Sequence, residues 1–140
     1  MSLRDASPHK SPILGVGPLE ARVMEALWRR ADWSKVGEIQ ALLNANSHNK
    51  PISYSAVKAV LLNLTKKRFT KKRSIGRANV FLPLRSQEEH QRQALARIVD
   101  PLLHNHRILL LQLIVSRVVA DQRAIAEFER LVAQAKTKKR

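Results

Sequence analysis

The chain has no cysteine, six aromatic residues other than histidine and only 11 carboxylates, against 26 Lys and Arg among its 140 residues. Each shortage removes a class of function. Without Cys there are no disulfides, no thiolate nucleophiles and no Cys-based zinc or copper sites. The few aromatics are better placed as core and strand-packing residues (Trp28, Trp33, Phe69, Phe81) than as a platform on which single-stranded bases stack. Long apolar runs are also lacking. Ile108–Ala120 comes nearest, and Gln112, Ser116 and Arg117 interrupt it, so it reads as a buried helix and not as a membrane span. No apolar stretch of secretory length opens the chain, and a cytoplasmic, nucleoid-associated protein is expected.

Catalysis has little support. The five His are scattered, and the carboxylates that could act with them avoid the middle of the chain. His104 and His106 are two positions apart, which points them to different sides of a helix. No enzyme, metal or cofactor is expected.

What the chain does have is positive charge in one place. From Ile39 to Gln87, 49 residues pass without an Asp or Glu while carrying ten Lys or Arg. Lys66, Lys67, Arg68, Lys71, Lys72, Arg73 and Arg77 crowd into its second half. A surface of this kind attracts polyanions and has little internal charge to neutralise it. With a net charge of +15 the chain falls in the nucleic-acid-binding range.

The periodicity organises these charges. Gly17-Pro18 opens a first helix, with Leu19, Val23, Met24, Leu27 and Trp28 at helical spacing. Ser34 is expected to cap a second helix bearing Val36, Ile39, Leu42 and Leu43. After a polar loop, Asn44–Pro51, a third helix follows Ser53 with Val57, Val60, Leu61 and Leu64 as its buried stripe. Its opposite side presents Ser55, Ala59, Leu62 and Lys66, flanked by Ala56, Lys58 and Asn63. Phe69–Arg73 and Arg77–Leu82 then read as the strands of a hairpin turned at Ser74–Gly76. Three helices and a hairpin in that order make a winged helix-turn-helix. The fold class is therefore mainly α: a winged helix at 16–85 after a flexible tail at 1–15, then a helical dimerisation region at 86–136 and a basic tail at 137–140.

The expected partner is double-stranded DNA. Small or hydrogen-bonding residues on the third helix suit the major groove, with Ser55 and Asn63 at base edges and Ala59 and Leu62 against thymine methyls. Lys58 and Lys66 would reach phosphate or guanine. The wing, with Lys71, Lys72, Arg73 and Arg77, would grip the backbone. The alternative is a solvated basic face with Leu62 packed against the hairpin. Beyond Leu84, Ser86 with Glu89 reads as a capping box opening a helix to about Val99. Asp100-Pro101 then begins another to about Val119, and Asp121 caps the last. Leu102, Leu103, Leu109, Leu110, Leu113, Ile114 and Val118 leave almost no polar side. With Phe128 and Leu131 of the last helix they call for a second subunit, because so short a helical segment cannot bury them alone.

These residues resemble the penicillinase-repressor family (BlaI and MecI, with the copper-responsive CopY branch). The matching stretches are Gly17-Pro18-Leu19-Glu20 with Val23-Met24 and Leu27-Trp28, then Val36-Gly37-Glu38-Ile39, then Ser53-Tyr54-Ser55-Ala56-Val57-Lys58 with Leu61, Leu64 and Lys67, and finally Gly76-Arg77 with Phe81 and Pro83. The resemblance implies a dimeric winged-helix repressor on an inverted-repeat operator, with its reading helix on Ser53–Lys66 and its wing on Lys71–Arg77; Tyr54 and Lys67 join the contact set on this basis. Departures are Ala56 for a usual Thr, Asn63 for a frequent Arg and Arg68 for a usual Gly. Classical members are inactivated by a regulatory protease at an Asn-Phe bond, a pair this chain does not contain, and the copper branch needs Cys. Without an operator, the same surface would suit an architectural DNA-binding protein.

Overall fold

The computed structural model describes residues 13–45 and 50–138. Most of the expected N-terminal tail, part of the Asn-rich loop and the last two residues lie outside that set.

Extended Gly17 and Pro18 start the first helix, α1 (Pro18–Arg30), which ends where Ala31 turns into the left-handed region at φ 54°. A two-residue strand β1 (Ser34–Lys35) precedes α2 (Val36–Ala45) and α3 (Tyr54–Lys66). Strands β2 (Thr70–Ile75) and β3 (Ala78–Pro83) form the wing, and the antiparallel sheet has the order β1-β3-β2. Val23, Met24 and Leu27 of α1, Ile39 of α2, Val57, Leu61 and Leu64 of α3, and Phe81 of β3 close the core. Each fully buried side chain of this size contributes about 1.5–3 kcal/mol.

Several expectations change. Ser34 is not the cap of α2. It is a buried strand residue whose hydroxyl accepts from Arg30 Nε (2.7 Å) and donates to the Asp32 carbonyl (3.0 Å). Glu38 serves the helix start instead, accepting from the Lys35 amide at 2.9 Å while pairing with Arg30 at 2.6 Å. The hairpin turns one residue later than expected, because Ile75 pairs with Ala78 and leaves Gly76-Arg77 as the loop. Gly76 has φ +62° and Arg77 is not at positive φ, the type II′ pattern whose twist matches the flanking strands. Arg77 therefore stands at the tip and not in the second strand.

The N-terminal boundary moves too. Ile13 is in the core, and the Leu14 backbone is held by Gln91 (N–H to Oε1, 2.9 Å) and by His90 Nε2 on its carbonyl (2.9 Å). Residues 13–15 thus belong to the winged-helix unit. So does the start of α4 (Gln87–Asn105), where His90, 3% exposed, packs edge-on against Trp28 and Phe69. The first compact unit extends to Leu95, ten residues beyond the expected boundary at Arg85, because these side chains complete its core.

The second unit, from Ala96, holds the end of α4, α5 (Arg107–Val119) and α6 (Gln122–Lys138). The expected break at Asp100-Pro101 is absent: Pro101 sits inside α4, and the chain breaks at His106. An interior Pro removes one helical hydrogen bond and favours a kink, yet the helix continues past it to Asn105. Asp121 caps α6 as expected, accepting from the Arg123 amide at 3.0 Å. The expected basic tail is helical as far as Lys138.

Candidate DNA-binding surface

Helix α3 is set at both ends by its own sequence. At its start Ser53 is extended, and its Oγ accepts from the Ala56 amide at 3.2 Å, so this hydroxyl is committed to capping. At its end the Phe69 amide donates to the Leu64 carbonyl (2.9 Å) and the Arg68 amide to that of Thr65 (3.1 Å), with Arg68 left-handed at φ 63°. This is a Schellman closure, accompanied by burial of Leu64 and Phe69. The approach to α3 is fixed by α2. Asn44 forms a two-way amide pair with the Ile52 backbone (2.8 and 3.2 Å), and Gln40 donates to the same carbonyl at 3.1 Å.

Between these ends Tyr54, Ser55, Lys58, Ala59, Asn63 and Lys66 are exposed and Ala56 is half-buried. Leu62 is not the exposed side chain expected; it is half-buried and packs against the core. Its burial follows from its place at the margin of the apolar stripe, and no groove partner is needed to explain it.

The wing divides its cations by strand parity. Lys72 pairs with Phe81 and lies on the parity that faces the core, whereas Arg73 pairs with Val80, and Lys71 with Leu82, on the other face. There the Arg73 guanidinium lies 4.3 Å and the Lys71 ammonium 5.6 Å from the Trp33 ring centre. At the tip, Arg77 meets Lys58 and Tyr54 around a groove of about 420 Å³, which Lys35, Gly37 and Asn79 also line. Sequence reasoning missed Lys35 and Asn79, since the groove joins segments far apart in the chain, and it read Trp33 only as a packing residue, not as the ring beneath Arg73 and Lys71. Lys67 is drawn elsewhere: its ammonium bonds both carboxylate oxygens of Glu20 at 2.9 and 3.0 Å, tying the end of α3 to the first turn of α1. Glu20 and Glu38 are thus both occupied by cations, which leaves the positive potential of α3 and the wing largely uncompensated.

Three helices closed by a hairpin, with an exposed basic third helix, define the winged-helix class of DNA-binding proteins. The chain belongs to the penicillinase repressor family, whose model matches residues 16–134. It is a family of DNA-binding transcriptional repressors, of regulators and not of enzymes. No curated protein matches the chain. Among the described residues no helix is long and apolar enough to cross a membrane, and no His, Asp and Glu cluster is fit to hold a metal ion.

Proposed function

We propose that the chain is a homodimeric transcriptional repressor that occupies an inverted-repeat operator, reading bases with α3 and gripping backbone phosphate with the wing. The observation that carries the DNA contact is the groove where Lys58 and Tyr54 of α3 converge with Arg77, on the same helix as the exposed Ser55, Ala59 and Asn63. Dimerisation is supported by the second unit, in which α5 and α6 have no buried residue. Leu102, Leu109, Leu113, Ile114, Phe128 and Leu131 are exposed there, while Leu103, Leu110 and Val118 are half-covered. An apolar surface of this extent calls for a partner, and a second copy supplies a two-fold match to a palindromic site.

Selection of genomic fragments with the purified protein, followed by salt titration on the recovered duplex, tests this reading. Lys58→Ala, Lys66→Ala or Arg77→Ala should weaken binding to all sequences, each lowering the slope of log affinity against log salt by about 0.9. Ser55→Ala and Asn63→Ala should narrow the gap between the recovered and random duplexes, each by about 1–3 kcal/mol. A repressor should favour its operator by roughly a thousandfold or more. Equal affinity for every duplex would instead identify an architectural protein.

A further inference from the structure

We infer that Trp33 is a positioning residue for DNA: it holds the Arg73 guanidinium, and the Lys71 ammonium beside it, ready to take backbone phosphate along the outer face of the wing. The inference rests on the DNA-binding reading and extends the contact surface beyond the groove at the tip.

Strand register makes the placement unambiguous. Lys35, Val80 and Arg73 are paired across the sheet and share one face, and Lys71 with Leu82 lies on the same face two residues along. Trp33 joins them, with Arg73 at 4.3 Å and Lys71 at 5.6 Å from its ring centre. Val80 is only 3% exposed although it stands outside the main core cluster, so side chains on this outer face cover it. Trp33 and the aliphatic stems of Lys71 and Arg73 are the groups placed to do so.

The chemistry left open favours phosphate. A guanidinium stacked on an indole uses its flat face and keeps its N–H edge for an oxyanion. Among the described residues neither Arg73 nor Lys71 has an ion-pair partner or a hydrogen-bond acceptor. Stacking also removes side-chain freedom that an unrestrained Arg would lose on binding, so the cost of ordering is met before DNA arrives. Lys35 extends the same positive face, and Arg77 at the tip lies four residues further along the chain from Arg73, so the patch continues the proposed DNA surface. A charged edge strand that merely prevents sheet-to-sheet pairing would explain the cations, but it gives no part to Trp33.

Fluorescence anisotropy with a random-sequence duplex, titrated with salt, tests the inference on the full chain. K71Q/R73Q should lower the salt slope by about 1.8, two phosphates' worth. Trp33→Ala should weaken binding about 2–5-fold, the equivalent of an exposed cation–π contact. Trp33→Phe should recover most of that loss. Placed on the K71Q/R73Q background, Trp33→Ala should cost nothing further, since the tryptophan acts through those two cations. An equal cost on both backgrounds would overturn the inference, and so would an unchanged slope in K71Q/R73Q, which does not disturb Trp33 and guards against misfolding of the alanine variant. If the unaltered chain bound no duplex at all, the DNA reading itself would fall, and this inference with it.

Discussion

Arg68 occupies the position after the α3 cap at φ 63°, where a side chain costs about 1–2 kcal/mol that Gly avoids. The usual Gly of the resembling family at this point, and its replacement here by Arg, thereby acquire a physical meaning. Arg68→Gly should raise stability by about 1 kcal/mol, the relieved strain outweighing the extra freedom Gly gives the unfolded chain. Thermal melting would check this, with an expected rise of about 4–8 °C for a unit of this size. Lys67 shows the opposite lesson. As sequence it is one more cation in a run, but in the fold it is paired with Glu20. Lys67→Met should leave the salt slope of DNA binding nearly unchanged and cost at most about 1 kcal/mol of stability, as expected for a partly exposed ion pair.

Among the elements, α3 is fixed by groups on its neighbours as much as by its own stripe. The side chain of Asn44 treats Ile52 as a strand treats its partner, satisfying both its N–H and its C=O. Asn44→Ala would leave the Ile52 amide unserved, while Gln40 continues to hold the carbonyl. The expected result is a loss of about 1–3 kcal/mol in denaturant unfolding, together with a smaller ratio of operator to random-duplex affinity. The wing follows a different rule. Its two-residue loop sets the register, and register divides the cations between two faces. A run of Lys and Arg in sequence thus becomes a tip residue at the groove, a pair held over Trp33 and a remaining Lys72 on the opposite parity.

For the whole molecule, the contrast between the two units matters most. The first buries a core drawn from three helices, the sheet and the segment at Ile13, and His90 seals it from α4. In the second, Ile108 is 64% and Leu109 66% exposed, and neither α5 nor α6 buries a residue. If a second copy covers that surface, charges placed on it must separate the subunits. L109E/L113E should halve the mass seen by analytical ultracentrifugation and lower affinity for an inverted-repeat operator. Binding of a single head to random duplex should change little. A variant that stayed dimeric would place the subunit interface elsewhere.

By itself the sequence determined the winged-helix class, the order of the helices and the hairpin (though not the short strand β1), the start of the third helix and the position of most of the core. All of these follow from local spacing, end signals and composition, which act within a few residues. Tertiary structure decided which cations face a groove and which are spoken for, that Trp33 lies beneath two of them, that Leu62 is half-buried, and that the first domain reaches past His90 into α4. These depend on strand register and on contacts between residues distant in the chain. No periodicity encodes them, because they exist only once the sheet and the helices have closed on one another.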